Sequence, residues 1–276
     1  MGKVDWSRAI IGIKGGGEMA SGVAVRLKRA GFFRIFMMEI KHPLAVRRAV
    51  SFCEAIHDDK AIVEGIEAVR TRDKDDILAA WSRGQLAVLV DPGGSILKEM
   101  QPQVLIDATI AKKNLGTKRE DAPLVIGLGP GFTASVDVHR VIETNRGHDL
   151  GRVIEKGPAQ ANTGIPGNIG GHTANRVLRA PAKGLFYTEH KITDMIRAGD
   201  VVCSVAGNDV VSKIDGVIRG LIREGNIVSE GLKIGDIDPR GCVEYCSTVS
   251  EKSRAIGGSV LEAILGASCF MGEKST

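Results

Sequence analysis

Residues 9–39 read AIIGIKGGGEMASGVAVRLKRAGFFRIFMME. Ala9-Ile10-Ile11-Gly12-Ile13 is a short apolar run of the kind that suits a buried parallel strand. Gly15-Gly16-Gly17 follows it. Ala20, Val23, Ala24 and Leu27 then recur at helical spacing, with Arg26, Lys28 and Arg29 on the other face, and Gly31 stops the helix. Arg34 to Met38 is a second strand, ending at Glu39. Strand, glycine turn, helix and strand form one βαβ unit, the opening of an α/β fold built on a doubly wound parallel sheet.

Working outward, more strands pass from aliphatic residues to a polar residue or glycine. Leu86 to Val90 ends at Asp91, Val104 to Ile106 at Asp107, and Leu124 to Ile126 at Gly127. Helical patterns run from Leu44 to Ala55, from Asp75 to Arg83 and from Val136 to Thr144. Parallel sheets of this class take ligands at their carboxyl edge, where strand order reverses. This organisation predicts a Rossmann-like domain over residues 1–177.

Beyond it the texture changes. Short β-type runs alternate with Gly-Asp or Gly-Asn: Gly199-Asp200-Val201-Val202, then Gly225-Asn226-Ile227-Val228, 26 residues on. Gly184-Leu185 and Gly216-Val217 precede them. The pattern suggests a weak internal duplication and a small all-β module over 178–241. Residues 242–276 form a C-terminal segment. There Ser250 can cap a helix whose apolar face is Ile256, Val260, Leu261, Ile264 and Leu265.

The bulk numbers narrow the class. The chain of 276 residues is 43% hydrophobic and 25% charged, ordinary for a globular protein, with 35 glycines, many of them clustered. A net charge of +4 spread over scattered basic residues gives no stripe for nucleic acid. No apolar stretch is long enough for a membrane span, and no charged head with an apolar run opens the chain. Five cysteines lie at positions 53, 203, 242, 246 and 269. A sparse, odd set suggests reduced thiols, so a cytoplasmic location is expected.

The sharpest local motif is Gly15-x-Gly17-x-x-Ala20, set between a strand and a helix. Gly15 permits the turn, Gly17 lets main chain approach a pyrophosphate, and Ala20 lets the helix pack closely on the strand. The helix amino end offers N–H groups to an anion, whereas Glu18 opposes one. Glu39, 24 residues after Gly15, can accept hydrogen bonds from ribose hydroxyls. The expected cofactor-binding set is Gly15, Gly16, Gly17, Met19, Ala20, Glu39, Asp107 and Ala108, with a second glycine loop, Gly127, Gly129, Pro130, Gly131 and Phe132. That second loop reads equally as a rigid turn. Asn162 to Gly171 is a third glycine-dense stretch, a binding loop or a linker. Lys112 and Lys113 sit just past a strand end, where an anionic ligand or solvent is the alternative. Cys53 and Cys246 are candidates for a nucleophile or a sulfur or selenium carrier, against buried structural thiols. No cysteine or histidine spacing marks a metal site.

Several stretches resemble the YqeB family, described as a selenium-dependent molybdenum hydroxylase system protein. They are Gly15 to Phe32, Pro43 to Ala55 (PLAVRRAVSFCEA), Val63-Glu64-Gly65, Asp107 to Thr117 (DATIAKKNLGT) and Val125 to His139 (VIGLGPGFTASVDVH). Ile142 to Val153, Asn162 to Gly171, Lys233 to Arg240 (KIGDIDPR) and Ser250 to Leu265 complete them. The resemblance implies an accessory protein that helps insert, sulfurate or selenate the cofactor of a molybdenum hydroxylase, similar in role to XdhC-type maturation factors. The implied partners are that hydroxylase and its maturation factors, with a homo-oligomer left open. The implied ligand is NAD(P) or a molybdopterin dinucleotide. A self-standing NAD-dependent oxidoreductase and a non-catalytic binding scaffold are the competing readings. The β module also resembles the barrel-sandwich modules of biotinyl and lipoyl carriers, in which a lysine at the hairpin between the halves carries the prosthetic group. The nearby lysine here is Lys213. It lacks the flanking residues of either pattern, so no covalent biotin or lipoyl group is expected.

Overall fold

The computed structural model describes residues 8–271, and only the backbone over 268–271. Met1 to Asp5 and the thiol of Cys269 therefore lie outside the described residues. The chain divides into two compact units, one of 1–43, 52–162 and 249–276, the other of 44–51 and 163–248. These bounds replace a division at residues 177 and 241. The final helix returns to the first unit, and a short piece of the first half, Leu44–Ser51, belongs to the second.

The first unit begins as expected with β1 (Ile10–Lys14), α1 (Glu18–Arg29) and β2 (Arg34–Glu39). It continues with α2 (Ala55–Asp58), β3 (Lys60–Val63), β4 (Ile66–Thr71), α3 (Lys74–Ser82), β5 (Leu86–Val90), α4 (Leu97–Met100) and β6 (Val104–Asp107). Then come β7 (Leu124–Leu128), β8 (Thr133–Ala134), β9 (Arg140–Ile142), β10 (Val153–Ile154) and β11 (Gly157–Pro158). Nine strands make one sheet in the order β10-β9-β7-β6-β1-β2-β5-β4-β3. From β4 to β9 every pairing is parallel, and β3 and β10 close the two edges antiparallel. Counting β1, β2, β5, β6, β7 and β9 in sequence, their spatial order is 3-2-1-4-5-6, that of a doubly wound sheet. Strand order therefore reverses between β1 and β6. One face of the sheet packs Phe36, Met38, Leu89, Leu105, Val125 and Phe132 into a single apolar cluster with Ile77 and Ala80 of α3. On that face Gly12 leaves room for Phe36, whose ring would lie 2.9 Å from an added Cβ.

Two expected helices are not formed. Leu44 to Ala55 holds only single 3-10 turns before α2. Its arginines are drawn to main chain far along the sequence: Arg47 Nη2 donates to Tyr245 O at 2.9 Å and Thr248 O at 3.1 Å, and Arg48 Nε to Leu221 O at 2.7 Å. Val136 to Thr144 turns instead into β9. Ser135 is left-handed (φ 69°), its N–H bonds Val138 O, and the Asp137 carboxylate accepts from Thr133 N, so a tight turn replaces the first helical turn. The β3–β4 hairpin was not anticipated. Its turn residues, Glu64 (φ 47°) and Gly65 (φ 81°), are both left-handed, as a two-residue hairpin requires.

The second unit contains β12 (Val177–Arg179), β13 (Gly184–Tyr187), β14 (Met195–Ile196), β15 (Val201–Val205), β16 (Asn208–Val211), β17 (Gly216–Leu221), β18 (Ile227–Val228), β19 (Lys233–Asp238) and α5 (Glu244–Ser247). The strands form two antiparallel sheets, β12-β19-β17-β14 and β16-β15-β13-β18. An offset of 32 residues carries Gly184 to Gly216, Met195 to Ile227 and Val201 to Lys233, so it maps β13, β14 and β15 onto β17, β18 and β19. The duplication is real, but its period is 32 and not 26. The offset also maps the hydrogen bonds. Phe186 N bonds Asn226 O and Ile218 N bonds Asp194 O, while Gly225 N bonds Phe186 O and Thr193 N bonds Ile218 O. Gly199 N to Ser212 O likewise maps onto Gly231 N to Ala180 O. Each half thus lends its short strand, β14 or β18, to the sheet of the other. The apolar core lies between the sheets, with Phe186, Val205, Ile218, Leu221, Ile234 and Ile237 fully buried. The turn joining the halves is Ala206-Gly207, and Lys213 lies beyond β16, away from that tip.

The last element, α6 (Glu251–Met271), is capped as expected, Ser253 N donating to Ser250 Oγ at 3.3 Å. It packs on α1 at a crossing of small residues. A Cβ on Gly22 would lie 1.9 Å from Ser253 Oγ, and one on Gly257 would lie 2.9 Å from Gly22 O. Ser253 Oγ donates to Glu18 O at 2.9 Å, which pins the contact. Gly22→Ala should therefore destabilise by about 1–3 kcal/mol through overpacking, despite alanine's better helix propensity. Gly258→Ala, where nothing lies within 4 Å of the added carbon, should be neutral or stabilising by up to ~1 kcal/mol. Urea unfolding midpoints of the two variants check this. In the second unit Thr193 (φ 93°) occupies the place that glycine holds in the other half, Gly225 (φ 82°). Thr193→Gly should raise stability by about 1 kcal/mol by relieving a β-branched residue of left-handed backbone, read as an upward shift in thermal midpoint.

Candidate functional site

The carboxyl edge of the parallel sheet gathers the loops that follow β1, β2 and β6. Gly15 makes the first turn at φ 90°, its N–H donating to Met38 O at 2.8 Å. An added Cβ there would lie 3.2 Å from Ala108 O, and Ala108 N donates to Lys14 O at 2.9 Å. The exits of β1 and β6 are thus in main-chain contact where strand order reverses.

The three glycines of the first loop have different surroundings. Gly16 is covered. Its carbonyl accepts from Cys53 N at 2.9 Å and from Ser21 Oγ at 3.0 Å, and Ser21 Oγ accepts from Phe52 N at 2.8 Å. An added Cβ would lie 3.0 Å from Cys53 Cβ. Gly17 caps α1 with extended backbone (φ −71°, ψ −174°), and nothing lies within 4 Å of where its Cβ would be. Glu18 and Met19 are half-buried, and Ala20 is fully buried. Glu39 ends β2 on the same sheet edge. Burial raises its carboxyl from the usual range to about 7, with a partial opposing effect from the Ile40 backbone N–H.

Across the reversal, β6 ends in a polar cluster around Asp107, an expected site residue, whose partners Lys14, Thr109, Thr117 and Asp121 were not in the expected set. Lys14 and Asp107 are paired in register on neighbouring strands. Lys14 Nζ donates to Thr117 Oγ1 at 2.8 Å and lies 3.6 Å from Asp121 Oδ2. Thr117 Oγ1 donates to Asp107 Oδ2 at 2.6 Å, and Thr109 Oγ1 to Asp107 Oδ1 at 2.7 Å. A lysine directly between an aliphatic strand and a glycine turn was the available signal. The loop itself is strained, with Ile110 (φ 54°) and Lys112 (φ 63°) both left-handed. Lys112 and Lys113 are exposed on it.

The second glycine loop meets this one, because a Cβ on Gly131 would lie 2.6 Å from Lys113 N. Its other glycines face the protein's own side chains. A Cβ on Gly127 would fall 2.5 Å from the Phe132 ring, and one on Gly129 (φ 76°) 2.4 Å from Thr144 Oγ1. Phe132 is buried in the sheet core, while Pro130 and Gly131 are half-buried. Packing accounts for these residue types.

The cysteine candidates lie apart from open surface. Cys53 is buried beneath Gly16, and Cys246 is fully buried on α5 in the second unit, with Sγ 3.7 Å from Ile218 O. Burial raises the Cys246 thiol above its usual range, against the opposing charges of Arg47 and Arg219, so the neutral thiol is favoured. Among the described residues no group of three or more His, Cys, Asp or Glu is placed to hold a metal ion, and no helix is long and apolar enough to cross a membrane.

No family model matches the chain. Among solved structures, an aspartoacylase family protein of Mesorhizobium loti aligns with 83% of this chain and 84% of its own at 11% identity and a TM-score of 0.26. A succinylglutamate desuccinylase/aspartoacylase of Rhodobacter sphaeroides aligns with 83% and 85% at 14% identity, also at 0.26. Likeness at that level carries no argument for fold or chemistry. Among curated proteins, the uncharacterized protein YqeB of Escherichia coli (strain K12) is 47% identical over 256 residues, 93% of this chain and 47% of that protein. At this identity the chain belongs with YqeB, over about half of that protein's length.

Proposed function

We propose that the first unit holds a nucleotide, or a cofactor that bears one, at the amino end of α1, and that the chain serves as an accessory protein in maturing a selenium-dependent molybdenum hydroxylase. The observation that carries the binding half is the open space over Gly17 at the point where strand order reverses. Three features support this reading: Gly15 turns left-handed, nothing lies within 4 Å of a Cβ on Gly17, and Ala20 is fully buried. The N–H groups of the first turn of α1 would hold a pyrophosphate, and Glu39 would meet ribose hydroxyls. Because Phe52 and Cys53 cover Gly16, such a ligand has to approach from the Gly17 side. The maturation half rests on the stretches shared with the YqeB family. Its test is a deletion strain: fully active, fully selenated hydroxylase without this protein would overturn it.

A second reading, an NAD-dependent oxidoreductase, is favoured by one feature. Glu39, with a pKa of about 7, can exchange a proton near neutrality. Hydride transfer from bound NADH to a small carbonyl compound would select that reading, and nucleotide binding without turnover would select the first.

Gly17→Val keeps an ordinary backbone conformation and fills the open space. Nucleotide affinity, measured by titration with NAD and NADP, should fall at least tenfold, ~1.4 kcal/mol; unchanged affinity would remove this loop from the site. Glu39→Gln is read through pH. Glu39 binds its proton more tightly folded than unfolded, so its contribution to stability is present below pH 4.5 and is lost as pH rises through about 7. The variant should match wild type near pH 4 and be more stable at pH 8, by at most about 3 kcal/mol for a shift of this size. Denaturant midpoints across that range check it.

A further inference from the structure

The 32-residue repeat makes the two sheets of the second unit equivalent, yet their outer faces differ. On the sheet containing β17 and β19, Leu185 and Tyr187 have Val217 and Arg219 as counterparts, at 0% and 4% exposure. That face is covered by Leu44–Ser51 and α5. A Cβ on Gly220 would lie 2.8 Å from Val46 O, Arg48 Nε holds Leu221 O, and Arg47 ties the same strap to Tyr245 O and Thr248 O. The covering strap is an irregular segment with a 3-10 turn at Arg48–Val50, aliphatic around two arginines, LAVRRAVS.

On the sheet containing β13 and β15 the equivalent face is open. Leu185 pairs with Ile227, and Val201 with Val211, and these are 55%, 72%, 46% and 44% exposed. A bulge between Val201 and Cys203 turns Val201 outward while Val202 and Cys203 stay buried. Tyr187, half exposed, lies in one row with Ser204 and Asp209. Its hydroxyl donates to Glu189 Oε1 at 3.0 Å, and this bond, with the charges of Glu189 and Glu224, raises its pKa. Three acids, Glu189, Asp209 and Glu224, therefore stand around an apolar sheet face. A cavity of about 230 Å³ opens there between Tyr187, His190, Val201 and Asp209.

We propose that this face is a docking surface for a short, non-helical peptide segment of a partner protein, aliphatic in character and carrying arginine or lysine. The pseudo-equivalent face shows the kind of segment such a sheet accepts, and the acids supply charge complementarity for a basic one. Thr188 stands where the covered sheet has Gly220, so the occupant rests on the side chains of Leu185, Tyr187 and Ile227 and not on main chain.

The test uses the full chain and a capped synthetic peptide of the His42–Ser51 sequence, HPLAVRRAVS, as a chemical probe, followed by fluorescence anisotropy. Saturable binding is expected, weakening about fivefold or more at high salt. Replacing both arginines of the peptide by glutamate, or introducing Leu185→Asp with Ile227→Asp in the protein, should each weaken it at least about tenfold. Ile62→Asp, an equally exposed site in the first unit, should leave it unchanged, and thermal midpoints confirm that all variants fold. Three results overturn the proposal: no binding at about 1 mM peptide, equal binding of the glutamate peptide, or a wild-type dimer in sedimentation that the double aspartate variant abolishes. The last would assign the face to a second copy of the chain.

Discussion

The first unit depends on how β1 leaves the sheet. Its two neighbours, β2 and β6, are both parallel to it, and the chain proceeds away from β1 on opposite sides. The connections after β1 and β6 must therefore diverge, and main chain is crowded where they part. Only a residue without a side chain passes Ala108 O at the observed distance in left-handed backbone, and that residue is Gly15. Once the turn is made, α1 starts with its amino end at the divergence. On the paired ends of β1 and β6, Lys14 and Asp107 are tied together through Thr117. The divergence of these loops is a consequence of strand order, and the polar groups around it follow from which residues end the strands.

A different constraint organises the second unit. Neither half of its repeat can complete a sheet, because each needs the short strand of the other. The equivalence stops at charge. Arg219 and Asp236 have Tyr187 and Ser204 as counterparts, and only the covered sheet carries a buried ionic cluster, in which Arg176 pairs with Asp236 and Arg219 lies 3.6 Å from Asp238. Burial by itself raises the Asp238 carboxyl, but hydrogen bonds from Arg240 and the charges of Arg240 and Arg219 outweigh it and hold the group ionised. Such a cluster adds little net stability, yet losing one partner would strand the other in a dry site. The covered face carries these charges beneath its strap, and at the matching positions the open face has Tyr187 and Ser204.

Local signals made the sheet and the first loop legible. Aliphatic runs ending in glycine or acid gave β1, β2, β5, β6 and β7, and the glycine turn falls between β1 and α1 as its spacing suggested. The helix expected over 44–55 failed because of distant partners. The 44–55 stretch has a helical period, but its arginines satisfy carbonyls some two hundred positions along the chain, and no window-based pattern carries that information. The repeat was visible, but its period was misread, because Gly225 matches Thr193 in place while resembling Gly199 in composition. Lys14 and Thr117 were passed over because they form no motif along the chain and meet only through the sheet.

The two glycine loops show why glycine density alone does not locate a binding site. In the second loop an added Cβ would strike Phe132, Thr144 or Lys113 at every glycine, so the residue type is explained before any ligand is invoked. In the first loop the same test divides the residues: Gly15 and Gly16 are required by neighbouring main chain, and Gly17 is required by nothing in the protein. Its backbone lies in a region open to any residue, and no atom of the described residues lies within 4 Å of where its Cβ would be. A glycine that neither conformation nor packing demands, at the amino end of a helix and at the reversal of strand order, is the observation on which the proposed nucleotide site rests. In that proposal Glu39, on the same edge with its carboxyl raised to about 7, would be the polar partner at a distance from the anion-attracting turn.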